Sequence, residues 1–360
     1  TSTVSVRQER STGLLVLATN GKPDASLAPE WLKPLPDSAA RHAIAGDQPA
    51  QMLLPLITLA HAPRARDGAV IGQGSGMSSH FLLGSPLLAH LVTIEIEPQM
   101  IRGSHLFHPA NRRVFDDPRS EFAIDDAKSY FAAGRHTYDL ILSEPSNPWV
   151  SGVSGLFTTE FYHRVRTYLK PNGVFGQWLH LYEIDDGLVL SVVRAVHENF
   201  PSYEIFLVGN YDLVIIASNE RALPAPDWGV LRYPDIATDL HRLLPMTGEH
   251  LEAARVIGRD VLAPMLDERT GADAGANSDF YPTLDQGAEL SRFRGTNADG
   301  FATLSAGRFD LVAALAGRRH DFGVSTLAPI PEIPRMRALA VGARLRASAA
   351  GTPDTLTTDA

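Results

Sequence analysis

Glu144 stands where this chain looks committed to chemistry rather than packing. In "ILSEPSNPWVSG", 141–152, an apolar strand-like run passes directly into a serine, a carboxylate, two prolines and a tryptophan. A carboxylate fixed at a strand end can orient an attacking amine and take its proton, because an amine with an ordinary pKa near ~10 is mostly protonated at neutral pH. Three more strand ends carry groups that suit a nucleoside. "GQGSG", Gly72 to Gly76, follows one strand and opens a helix; its glycines let a ligand approach the backbone and leave helix N–H groups free to donate. Glu95 ends the next strand about twenty residues on, where an acidic side chain accepts from ribose hydroxyls. Asp126 ends the third and can accept from an adenine amino group. The plain alternative for the acidic positions is helix N-capping.

The glycine spacing is G-x-G-x-G, not the G-x-G-x-x-G of a dinucleotide site. It matches the layout of enzymes that use S-adenosylmethionine or its decarboxylated form. Trp149 either stacks on a ligand or seats its loop on the core. The thirteen histidines form neither H-x-x-x-H nor H-E-x-x-H, and there is no cysteine, so no metal site is expected and disulfides are excluded. No G-x-S-x-G marks a hydrolase nucleophile.

The elements that must position these groups are strands alternating with helices from residue 67 to about 220, which predicts an α/β fold with a doubly wound, Rossmann-like, mostly parallel sheet. Residues 1–47 are expected to form a small N-terminal β-hairpin subdomain, 48–220 the nucleoside-binding catalytic domain, 221–347 a helical extension with helices around 237–245 and 249–267, and 348–360 a disordered tail. In "QPAQMLLPLITLAH", 48–61, a broad apolar helical face contains a proline expected to kink or end it. The formal net charge of −9 argues against nucleic acid as the main partner. No apolar run reaches the ~20 residues of a membrane span. The chain begins at Thr1 in strand-like sequence, as an excised piece of a longer protein would.

"NGKPDAS", "GQGSG", "IEIEP", "DDAKSYF", "YDLILSEPSNPWVSGVSGLFTTEFY" and "GVFGQWLHLYE" occur in an order and spacing that resembles the spermidine synthase (polyamine aminopropyltransferase) family over residues 2 to 218. The form of "EPSNPW" with "GLFTTEFY" is most similar to a bacterial branch fused behind a membrane-spanning domain. The resemblance implies a methyltransferase-like fold. It implies transfer of the aminopropyl, or 3-amino-3-carboxypropyl, chain of decarboxylated or intact S-adenosylmethionine to a small amine, with release of methylthioadenosine. Carried over by position, it puts Gly72, Gly74 and Gly76 at the nucleoside, Glu95 at the ribose, and Asp126 with Ala127 at the adenine. Gln51 and Asp24 would lie near the sulfonium, Glu144 would be the orienting and deprotonating carboxylate, and Gln177 and Tyr182 would border the acceptor.

Three positions depart from the family pattern. Ser75 replaces an aspartate of the glycine loop, Asn147 replaces the second carboxylate after the strand, and Pro49 replaces a tyrosine. The resemblance further implies a homodimer in the cytoplasm, as a cytosolic domain if a membrane segment is attached. Rival readings keep the donor site but change the outcome: methyl transfer, intramolecular attack by a cyclase or lyase, or nucleoside sensing without turnover.

Overall fold

The computed structural model describes residues 3–33, 46–150, 152–209, 211–243, 245–267 and 275–302. The expectations for 303–347 and for the tail at 348–360 lie outside them.

β1 (Val4–Gln8), β2 (Leu15–Thr19) and β3 (Lys22–Leu27) form a small antiparallel sheet. Asn20 and Gly21, both at positive φ, close the second turn, the conformation for which Asn-Gly is favoured. The β2–β3 register slips between Leu17↔Ala25 and Ala18↔Pro23, so Asp24 sits on a bulge. Bulges re-aim side chains. α1 (Gln48–His61) then runs unbroken through Pro55. The helix does not end at the proline, and Ser78 takes up the carbonyl that the proline leaves free.

The main domain follows as β4 (Asp67–Ile71), α2 (Met77–Leu82), β5 (His90–Glu95), α3 (Pro98–Ser104), α4 (Arg112–Asp116), β6 (Ser120–Ile124), α5 (Ala127–Ala133) and β7 (Tyr138–Ser143). It continues as α6 (Thr159–Val165), β8 (Leu169–His180), α7 (Asp186–Asn199), β9 (Ser202–Val208) and β10 (Asp212–Ser218). The C-terminal part supplies α8 (Pro234–Leu240), α9 (Gly248–Ala254), β11 (Arg255–Gly258), α10 (Arg259–Asp267), α11 (Thr283–Arg294) and α12 (Asp299–Ala302). The second expected helix, over 249–267, is therefore interrupted. Arg255, Ile257 and Gly258 pair with the free edge of β9, with Val256 at a register shift, and an open edge favours strand over helix there.

The large sheet has the order β11-β9-β10-β8-β7-β4-β5-β6. β6, β5, β4, β7 and β8 are parallel, and β10, β9 and β11 add antiparallel pairs. The mostly parallel α/β architecture read from the sequence is the one found. β8 shows how both faces are buried: Phe175 and Leu179 pack into a core with α6 and α7, while Val174 and Trp178 join a second core around α1. From β4 the chain steps through β5 to β6, then crosses back to β7 on the other side. The strand order thus reverses between β4 and β7. Ligands of open α/β sheets bind at the carboxyl ends of the strands at such a reversal.

α8 is fastened to this domain by Asp239, which accepts from Arg113 Nη2 at 2.6 Å and contacts His80 Nε2 at 3.0 Å. Burial of His80 lowers its pKa despite the carboxylate beside it.

Candidate active site

The tips of β4 and β7 touch. Gly72 N donates to Ile94 O at 2.9 Å, and Glu144 N donates to Ile71 O at 3.0 Å. A Cβ on Gly72 would stand 2.4 Å from the Glu144 carbonyl oxygen, at a φ of +93° that side chains avoid. Glycine here is what lets the "GQGSG" turn pass beneath Glu144. Gly74 and Gly76 also have positive φ, and Gly76 leads into α2.

Glu144 is half-buried. Burial pushes its carboxyl up to about 7, the nearby Asp212 and Asp47 carboxylates add to the rise, and a hydrogen bond with Ser78 opposes it. Ser78 Oγ lies against Glu144 Oε2 and also 3.0 Å from the carbonyl oxygen of Gln51. That carbonyl is the one Pro55, four residues on, has no N–H to satisfy. A hydroxyl has one proton to donate. If Ser78 gives it to Gln51, its contact with Glu144 is a hydrogen bond only when Glu144 is protonated and donates. The helix proline is thereby connected to the charge state of the carboxylate.

On the nucleoside side, the Glu95 carboxylate accepts from Gln73 N at 2.9 Å and from Glu97 N at 2.8 Å. Burial raises its pKa, opposed by both amides. Each oxygen keeps acceptor capacity for a ribose hydroxyl. Asp126 caps α5 by accepting from Ser129 N at 2.9 Å, and Ala127 is the buried first residue of that helix. Capping and ligand binding are compatible, since the cap engages only Oδ1. Ile96 and Ile124, 67% and 60% exposed, flank these two acids where the strands end. They offer the apolar walls a planar base requires, and sequence reading passed over them. Their only signal was a branched apolar residue beside an acid at each strand end.

Gln51 links three elements: Oε1 accepts from Ser75 Oγ at 2.7 Å, and Nε2 donates to Ser26 O at 3.2 Å. Asp24, on its bulge, has its carboxyl pKa raised by burial, with the nearby Thr19, Ser146 and Lys22 opposing the rise. Gln51 therefore joins the small sheet to the glycine turn.

On the other side, Asn147 Nδ2 donates to Tyr182 Oη at 3.3 Å, and the Trp149 and Tyr182 rings lie 6.2 Å apart. Gln177 faces away from them: its Nε2 donates to Ser143 O at 3.2 Å, and its Oε1 accepts from Tyr162 Oη at 3.3 Å. It braces the end of β7 from beneath. The next residue, Trp178, points to the opposite face and donates from Nε1 to Asp212 Oδ1 at 2.9 Å. His180 is fully buried among Trp149, Trp178 and Tyr182, neither ring nitrogen has a partner among the described residues, and burial pulls its pKa down to about 3. Ser78, Asp212 and Asp47 were not singled out from sequence, because only chain crossings bring them to Glu144.

At the amino ends of the strands, Asp67, His90 and His136 place one potential ligand atom each within 4.8 Å of one another. Asp67 is already paired with Lys170, and His90 with Glu121 at 3.0 Å.

A reversing, mostly parallel sheet with a glycine turn, two acidic strand ends and a carboxylate over the switch point defines a doubly wound α/β domain. Residues 50–218 match the family model of the spermine/spermidine synthase domain. A polyamine aminopropyltransferase of Desulforudis audaxviator is 27% identical over 139 residues, 39% of this chain and 50% of the relative. One from a Thermoanaerobacter species is 30% identical over 138 residues, 38% of this chain and 50% of the relative. The chain spans about half the length of these curated relatives. The solved spermidine synthase of Thermotoga maritima shares the fold at a TM-score of 0.50 and 17% identity, covering 68% of this chain and 81% of that one.

Proposed function

We propose that the domain transfers the aminopropyl, or 3-amino-3-carboxypropyl, chain of decarboxylated or intact S-adenosylmethionine to a small amine. The amine nitrogen attacks the chain carbon bonded to the sulfonium. The carbon–sulfur bond breaks with its electron pair on sulfur, neutral methylthioadenosine leaves, and the surplus proton of the new ammonium passes to Glu144. The observation that carries this reading is Glu144 itself: a half-buried carboxyl raised to about 7, fixed over the glycine turn by the switch-point geometry. A base poised near the working pH is matched to taking an amine proton.

Gly72, Gly74, Ser75, Gly76, Glu95, Asp126 and Ala127 would hold the nucleoside, with Ile96 and Ile124 against the base. Gln51 and Asp24 would lie near the sulfonium. Asn147, Trp149 and Tyr182 would border the acceptor, with Gln177 in support behind Ser143. Methyl transfer from intact donor is the second reading. It is favoured by Ser75, whose uncharged hydroxyl is engaged by Gln51. Among the described residues no helix is long and apolar enough to cross a membrane; an attached membrane domain and a homodimer remain part of the proposal.

The test is chromatography of products from each donor with an amine. Methylthioadenosine formed by the wild type and abolished in Glu144→Gln, with nucleoside affinity unchanged, is expected. Unaltered turnover in that variant sinks the role of Glu144, and S-adenosylhomocysteine as sole product replaces chain transfer with methyl transfer.

A further inference from the structure

Two cations from opposite ends of the chain meet on one indole. Lys22 Nζ, from β3 of the small sheet, lies 3.9 Å from the Trp149 ring centroid. Arg292 Cζ, from α11, lies 5.5 Å from the same centroid. The Lys22 ammonium is buried and has no hydrogen-bond partner among the described residues. Arg292 reaches Glu183 through Nε at 3.4 Å. Glu183 itself has φ +53°, a strained backbone for a non-glycine residue, next to Tyr182.

An ammonium out of water with none of its three donors used is unfavourable, and a cation–π contact offsets only part of that cost. Packing two cations near each other adds repulsion. Burial and the Arg292 charge bring the Lys22 pKa down to about 8, while Glu183 and Asp24 pull the other way. Burial raises the pKa of the Asp24 carboxyl itself. Elsewhere in the site, Asp212 and Asp47 add their fields to Glu144. The glycine turn between Gly72 and Gly76 carries no charge of its own. Two cations, Lys22 and Arg292, thus lie over the Trp149 ring, with Glu183 paired to Arg292.

We propose that Lys22 and Arg292 form a carboxylate-recognition pole over Trp149, which takes a carboxylate borne by one of the two co-substrates. This rests on the reading under Proposed function and narrows its substrate class. The carboxylate belongs either to the acceptor, which is then an amine with an acid at its far end, or to intact S-adenosylmethionine. A ligand oxygen there would accept from the unused ammonium and from the Arg292 guanidinium.

Calorimetry on the full chain tests the pole with matched probes: 4-aminobutyrate against putrescine in the presence of methylthioadenosine, and intact against decarboxylated S-adenosylmethionine. One carboxylate-bearing probe is expected to bind at least about tenfold more tightly than its carboxylate-free counterpart, the factor of one good charge contact. Which pair shows the preference identifies the source. Lys22→Met should erase the preference, Lys22→Arg should keep most of it, and methylthioadenosine affinity should report that each variant is folded. Equal or tighter binding of putrescine and decarboxylated donor, or a preference that survives Lys22→Met, overturns the pole. Failure of methylthioadenosine to bind the wild type instead sinks the underlying nucleoside reading, and the pole with it.

Discussion

Ser78 and Glu144 share a single hydroxyl proton with a third claimant, the Gln51 carbonyl that Pro55 leaves unsatisfied inside α1. Replacing Ser78 by Ala removes a hydrogen bond that lowers the Glu144 pKa. The acid limb of the pH–rate profile should move to higher pH, and turnover at pH 7 should fall severalfold. Pro55→Ala gives α1 back an N–H for Gln51 and frees the Ser78 proton for Glu144, so its limb should move to lower pH. Profiles that shift together in the two variants would break the proposed connection.

For the wild type, the base form of Glu144 accumulates as pH rises through about 7, and kcat/KM should rise with it. Stability should change the opposite way. A carboxyl with a folded pKa above its unfolded value contributes stability that is full below the unfolded value and lost as pH rises through the folded one. From pH 4.5 to above 7, the wild type should lose stability relative to Glu144→Gln. Denaturant titrations of both proteins across that window measure the difference.

Asp212 lies at the start of β10, positioned by the Trp178 indole N–H. Its charge raises both Glu144 and Tyr182. Asp212→Asn keeps the hydrogen bond but removes the charge. The acid limb should shift to lower pH, and if Asp212 also attracts the acceptor cation, KM for the amine should rise several-fold with little change in nucleoside affinity. The separation of these parameters is read from kinetics in parallel with calorimetry.

Gly72→Ala forces a Cβ against the Glu144 carbonyl at an unfavourable φ. Backbone strain alone costs on the order of 1–3 kcal/mol. Thermal unfolding should show that loss, and any folded fraction should turn over poorly because the β7 tip must move.

Asp126→Ala removes the α5 cap, at about 1 kcal/mol, together with an adenine acceptor. Nucleoside affinity should fall about tenfold, the scale of one lost hydrogen bond. An unchanged dissociation constant in a mildly destabilised variant would reduce Asp126 to its capping role.

The local chemistry was legible in the residues because it is periodic or conformationally demanding. Alternating strands and helices announced the parallel sheet, and glycines marked the turn whose backbone must adopt positive φ. The prolines around Glu144 marked a stiff strand end. Pro55 was expected to kink or end α1, and it does not end it. A proline's cost depends on whether another group satisfies its orphaned carbonyl, and Ser78 does so from α2. The strand at 255–258 was hidden inside an apolar helical pattern, because an edge is offered only once β9 is in place.

What the sequence by itself determined was the set of groups strung along consecutive strand ends, since each depends on a turn within a few residues of its own position. Tertiary structure alone decided which groups meet. Ser78, Asp212 and Asp47 come to Glu144, and Lys22 and Arg292 come to Trp149, from elements separated by much of the chain. Charge acts through space across a dry interior, so the pKa of Glu144 and the charge over Trp149 belong to the packed fold and to no segment of it.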